Sequence, residues 1–295
     1  MGLSLKFRLE AGLVRLLIGL VARLSPAAAS TFGGSVARTI GPWLPVSRVA
    51  DANLRLAMPD LAAADRVRII RGVWDNLGRT ACEFPHIRAL GPTASGPGVE
   101  IVCAPERLAT FRTGGPVIFF SGHMANWEAM MPLLAQAGPR PGVFYRAARN
   151  PLVDRLIQDL RGATRIALFA KGAAGARAAM LHLRAGGQLG LLADQKMNDG
   201  IKATLFGQPA MTASAPAVLA LRFGCPLVPV RVERLGPARL RVTVEDALTP
   251  PSSGDRHADV AVLTQMVNDR LESWIRARPD QWLWLHRRWP KEIMR

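Results

Sequence analysis

Tyrosine occurs once in this sequence, cysteine three times, and Asp and Glu together are outnumbered 22 to 38 by Lys and Arg. Each shortage excludes something. Cys82, Cys103 and Cys225 lie far apart and form no CxxC pair or Cys/His cluster of metal-ligand spacing, so they read as reduced core thiols of a cytosol-facing protein. The basic residues stand singly among Ala and Leu, with no basic block and no interleaved aromatics. The formal charge of +16 and pI near 11.4 therefore do not describe a nucleic-acid surface. They still call for an anionic partner: a membrane surface, a phosphorylated lipid or an acidic protein. A spanning helix is missing too. Between Leu5 and Leu24 the longest uncharged run is Leu16 to Ala22, whereas a bilayer needs about 20 mostly apolar residues.

What is present at the N-terminus is an amphipathic pattern. Leu9, Leu13, Leu16, Leu17, Leu20 and Leu24 recur at intervals of three and four, interrupted by Lys6, Arg8, Arg15 and Arg23. Such a helix lies in the membrane interface with its basic side chains among the head groups. Two alternatives compete: a helix that merely packs on a soluble domain, and a secretory signal ending at Pro26-Ala27-Ala28-Ala29. Arg15 and Arg23 speak against the second, because they break the apolar region and crowd the cut.

From Pro42 to His86 the pattern stays helical, with Val67, Ile70, Val73, Trp74 and Leu77 on one stripe. Beyond GPTASGPG, short apolar runs alternate with helical stretches. Val99 to Cys103, Pro116 to Ser121, Gly142 to Arg146, Ile166 to Ala170, Gln188 to Ala193 and Leu227 to Glu233 read as strands. Trp127 to Gln136, Pro151 to Leu160, Ala173 to Arg184 and Ala215 to Phe223 read as helices, followed by an extra strand over Arg239 to Glu245 and a long helix over Asp259 to Ala277. The fold class is α/β: a mostly parallel central sheet flanked by helices, with an N-terminal helical layer and an interfacial membrane helix. The organisation is residues 1–41 as a membrane-associated region and 42–295 as one α/β domain, without internal repeats.

The chemistry concentrates in VIFFSGHMANWE. A buried strand, Val117 to Ser121, passes through Gly122 to His123, beyond a strand carboxyl end, where open α/β sheets gather functional groups. Glu128 lies five positions on, so the pair does not have the spacing of a metalloprotease helix. With His123 on the turn before the helix, Glu128 is positioned to accept the Nδ1 proton and leave Nε2 as a general base. A lone His followed by Glu is more often incidental. No G-x-S-x-G elbow supplies a nucleophile, which favours direct attack by a substrate hydroxyl on a carrier thioester.

SGHMANWE resembles the H-x4-D/E signature of glycerolipid-type acyltransferases and, more specifically, the GHxGNWE form of the lipid A biosynthesis lauroyl/myristoyl acyltransferase family, with Ala125 in place of a glycine. Further segments similar to that family follow in its order: WDNLGRTACE (Trp74 to Glu83), FYRAARNP (Phe144 to Pro151), the stretch from Leu168 to Gln195, LFGQPAMTASAPAVLA (Leu205 to Ala220), VPV (Val228 to Val230) and QWLWLHRRWP (Gln281 to Pro290). The resemblance covers nearly the whole chain. It implies transfer of an acyl chain from acyl carrier protein to a hydroxylated acyl chain on a phosphorylated glucosamine lipid, at the cytoplasmic face of the inner membrane. The enzyme would be peripheral or monotopic, with no cofactor beyond the thioester co-substrate. The basic surface suits both an acidic carrier and a phosphorylated acceptor.

Arg146 and Arg149 follow a strand and stand to reach the same mouth, holding phosphate or the carrier's pantetheine arm; the competing assignment is a solvated loop. Arg161 and Arg165 precede the next strand, where the family carries a functional arginine, and either one fits. Asp194-Gln195 resembles the family's DQ pair. Acceptor positioning or an oxyanion-shaping hydrogen bond stands there against a structural anchor, and no metal is expected. Asn126 either reaches the reacting carbonyl or caps the following helix. Trp282, Trp284 and Trp289, around His286-Arg287-Arg288, belong either to a membrane interface or to the core. Rival functions are transfer to another lipid such as a phosphatidylinositol mannoside, and a non-catalytic membrane lipid-binding protein.

Overall fold

The computed structural model describes residues 4–161 and 166–293. Four helices come first: α1 (Leu5–Val21), α2 (Pro26–Ile40), α3 (Ser47–Ala57) and α4 (Ala63–Glu83). The α2/α4 contact is made by small residues. A Cβ added to Gly78 would lie 2.1 Å from the Gly33 carbonyl oxygen, and one on Gly33 2.5 Å from Cys82 Sγ. Only hydrogen at these positions lets the backbones approach so closely.

In α1 the covered stripe is Phe7, Ala11, Val14, Ile18 and Val21, spaced at three and four. The helix packs on α7 (Pro151–Arg161). It is pinned there by Asn150, whose Nδ2 donates to Phe7 O at 2.9 Å and Glu10 Oε2 at 3.0 Å. The leucines face outward: Leu5, Leu9, Leu13, Leu16, Leu17, Leu20 and Leu24 are all exposed, as is Trp43 at 86%. Among the described residues no helix is long and apolar enough to cross a membrane.

The rest is the α/β body. The strands β1 (Gly98–Val102), β2 (Val117–Ser121), β3 (Pro141–Tyr145), β4 (Ala167–Ala170), β5 (Gln188–Leu192), β8 (Leu227–Gly236) and β9 (Arg239–Val244) form one sheet in the order β1-β9-β8-β2-β5-β3-β4. Every neighbouring pair is parallel except the β8/β9 hairpin. Two strands that the sequence pattern did not announce, β6 (Lys196–Leu205) and β7 (Gln208–Thr212), pair as a separate antiparallel hairpin.

β2 explains its own place at the centre. All five of its residues are buried, as a β-branched and aromatic run demands when both sheet faces are covered. Its side chains alternate between two cores: Ile118 and Phe120 into one, Val117 and Phe119 into the other. The first is closed by α10 (Arg256–Ala277), whose Trp274 stacks on Phe120 at 6.0 Å.

The C-terminal tryptophans belong to that core and not to a membrane interface. Trp282, Trp284 and Trp289 are fully buried, and the Trp284 indole donates to Pro279 O at 2.7 Å. Arg288 is buried beside them and donates to Met211 O at 3.0 Å and Thr212 Oγ1 at 2.7 Å. Burial pulls its pKa down to about 10, opposed by the charge of Asp194.

Candidate active site

β2 and β5 lie side by side and parallel, with Ser121 opposite Leu192. The ladder continues one step further, through Ala193 N–H to Ser121 O at 2.9 Å. Two residues past each strand end stand His123 and Asp194, so the register alone brings them together. Asp194 Oδ1 is 2.7 Å from His123 Nδ1, and Oδ2 accepts the His123 backbone N–H at 2.7 Å and the Trp282 indole N–H at 2.7 Å. The Asp194 side chain is fully buried, and that of His123 is 16% exposed.

A carboxylate only accepts, so the hydrogen of the neutral imidazole resides on Nδ1 and the lone pair on Nε2. Nε2 lies 3.4 Å from the Gln195 amide nitrogen, with the Trp127 ring edge-on to the imidazole at 5.0 Å between centroids. Burial opposes the charged form of His123. The charge of Asp194 and its hydrogen bond to the ring, with the Glu128 charge behind them, outweigh burial and raise the imidazole above its ordinary value. Burial likewise opposes ionisation of Asp194, and the charge and hydrogen bonds of His123 override it, holding the carboxyl well below the usual range.

Glu128 stands elsewhere than the sequence pattern placed it. It lies in a 3-10 turn (Trp127–Ala129), capped by Asn126, whose Oδ1 accepts the Glu128 N–H at 3.1 Å. Its carboxylate accepts from Arg161 Nε at 3.0 Å and also from Nη2. The Arg161 guanidinium, at the last residue of α7, also lies 5.5 Å from the Phe84 ring centre. The expected bond from Nδ1 to Glu128 is therefore corrected. Asp194 already occupies Nδ1 because strand neighbours outrank a five-residue local spacing, and Glu128 reaches His123 through its charge alone.

Of the other sequence candidates, Arg146 directly follows β3 and Arg149 precedes α7. Both are exposed, and among the described residues neither forms an ion pair. Gln195 is gathered to the His123 ring; Arg165 lies outside the described residues. Two surface cavities, of about 620 and 760 Å³, flank α4, and neither is lined by His123. Among the described residues no three His, Cys, Asp or Glu side chains gather as metal ligands would.

Sequence reasoning missed Trp282 as part of the site. The signal was available: a buried indole N–H needs an acceptor. The segment it belongs to also pairs with the loop that carries His123, through Ala125 N–H to Gln281 O at 2.8 Å and Leu283 N–H to His123 O at 3.1 Å.

An α/β sheet with a His–Asp pair at its carboxyl edge, the imidazole hydrogen held on Nδ1 by Asp194 and Gln195 beside Nε2, is the arrangement that the fold places at the ends of β2 and β5. The sequence profile of the bacterial lipid A biosynthesis acyltransferase family matches residues 9–291, and the chain belongs to that family. It is thus an acyltransferase of lipid A biosynthesis, with a lipid acceptor. No curated protein matches the chain significantly.

Proposed function

We propose that the chain transfers a fatty acyl group from acyl carrier protein to a hydroxyl of a lipid A precursor, a secondary acylation, with His123 as general base and Asp194 as the carboxylate that orients it. The observation that carries the proposal is the three-donor cradle of Asp194, which fixes the tautomer. His123 Nε2 accepts the proton of the acceptor hydroxyl as its oxygen forms a bond to the thioester carbonyl carbon. The tetrahedral species then expels the carrier's thiolate, which takes that proton back from the imidazolium.

Glu128 holds Arg161 by two charge-assisted bonds, and Arg161, Arg146 and Arg149 supply positive charge for phosphates of the acceptor or the pantetheine arm. Asn126 serves as the cap of the turn, and Gln195 steadies the acceptor beside Nε2. The outward leucines of α1, with Lys6, Arg8 and Arg15 on the same helix and Arg23 in the turn after it, support docking at an anionic membrane surface. The acceptor would then be taken from the cytoplasmic face of the inner membrane.

The test is incubation of the purified protein with acyl carrier thioester and either a lipid A precursor or a phosphatidylinositol mannoside, with products weighed by mass spectrometry. Acylation of the lipid A precursor, lost in His123→Ala, is expected. Preference for the mannoside would move the acceptor, and full activity in His123→Ala would remove the base.

A further inference from the structure

One face of α4 carries three polar residues that a helix would ordinarily turn to solvent. Asn76, Thr80 and Glu83 recur at four and three positions and are all buried, Glu83 completely. All three point at the loop between His123 and Glu128. Asn76 Nδ2 donates to Ala125 O at 3.0 Å, and the Thr80 hydroxyl lies 3.0 Å from the same oxygen, its hydrogen shared with Asn76 O at 2.9 Å. Glu83 Oε2 accepts from Asn126 Nδ2 at 2.8 Å.

Behind them, Arg234 binds the whole row. Its Nε donates to Asn76 Oδ1 at 2.8 Å, Nη2 to Thr80 Oγ1 at 3.1 Å and Glu83 Oε2 at 3.0 Å, and Nη1 to Glu83 Oε1. Ser30 Oγ at 2.6 Å and Ala238 N–H at 3.1 Å complete the Glu83 shell. A buried carboxylate with five donors is fully compensated and geometrically rigid.

The loop it grips needs gripping. Ala125 has φ of +48, a left-handed conformation that costs a residue with a Cβ roughly 1–2 kcal/mol. Every bond from the α4 row to the loop lands on Ala125 or Asn126, two and three residues after His123 and within three of Glu128. Releasing them would let the His123 backbone N–H and ring leave Asp194 together.

We infer that Glu83, backed by Arg234, is a positioning residue that acts through Asn126 and Ala125 to hold His123 against Asp194. The inference rests on the general-base reading above and adds to it a cause for the loop's shape.

The test uses the full chain, the transfer assay and three variants. Glu83→Gln keeps the shape and removes the charge that Arg234 answers. Thr80→Val removes one hydroxyl at the edge of the row, and Thr80→Ser restores it. The expected result is a fall in kcat of about tenfold or more for Glu83→Gln and a few-fold for Thr80→Val, as for small misplacements of reacting groups. Both KM values should stay within about twofold of the parent, since ground-state binding is untouched. The acid limb of the rate profile should move to lower pH as His123 loosens from Asp194, and Thr80→Ser should recover both rate and profile.

Folded Glu83→Gln and Thr80→Val with parental kcat and pH profile, alongside an inactive His123→Ala, would overturn the positioning role and leave the base intact. An active His123→Ala would instead sink the base reading itself. If Glu83→Gln does not fold, the Thr80 pair decides alone, and a rise in KM matching the loss of kcat would mark a merely structural role.

Discussion

Two corners of the site each hold a carboxylate, and they are built differently. At the end of β5, Asp194 is fully buried and receives three hydrogen bonds, two of them from His123 itself and one from Trp282. In the 3-10 turn after β2, Glu128 is spent on a guanidinium from the end of α7. The contrast shows that nearness along the chain is a poor guide to which acid serves a base. Parallel register makes residues 71 positions apart into neighbours, while five positions across a turn point two side chains to different partners.

The sharpest way to break the comparison is to neutralise each acid in turn. Asp194→Asn should lower kcat on the order of 10³- to 10⁴-fold, as loss of the orienting carboxylate does in a Ser-His-Asp triad, with the protein still folded by circular dichroism. Glu128→Gln should cost less, about ten- to a hundredfold in kcat/KM, because Arg161 loses two charge-assisted bonds and the His123 tautomer survives. Steady-state kinetics on the two variants checks the ranking, and equal losses would erase the distinction.

A smaller effect sharpens the first corner. Trp282→Phe keeps the buried ring and deletes one N–H donor to a charged acceptor, which should lower stability by about 1.5–3 kcal/mol in denaturant unfolding. It should also slow turnover a few-fold. Unchanged stability would mean that the indole bond to Asp194 contributes nothing.

Much of the fold was legible because periodicity reports burial. The six strands read from apolar runs appear as β1 to β5 and β8 with no end shifted by more than three residues, and the extra strand appears as β9. The hairpin β6/β7 escaped because Lys196 to Gly200 has Met197 as its one large apolar residue and Gly207 and Pro209 break any alternation. The amphipathic pattern of α1 was visible, but not its orientation. A periodic sequence shows that two faces differ, and only the partner helix α7 decides that Phe7, Ala11 and Val14 go in while the leucines stay out.

The site was half legible for the same reason. His123 and Asp194 could each be placed at a strand end, yet their pairing depends on β2 and β5 being neighbours, and strand order is not written in any local pattern. The tryptophans near the C-terminus fit interface and core equally until Trp282 Nε1 found Asp194 and Trp284 Nε1 found Pro279 O.

The most direct measurement is the pH dependence of kcat/KM for the parent, Asp194→Asn and Glu128→Gln. A general base at His123, as proposed, works only when neutral, and the charge of Asp194 raises its pKa, so the parent's acid limb should lie above the ordinary histidine value of about 6.5. Asp194→Asn should bring the limb down furthest, and Glu128→Gln only slightly. A limb that stays put in Asp194→Asn and drops in Glu128→Gln would show that the proton of Nδ1 answers to the other acid.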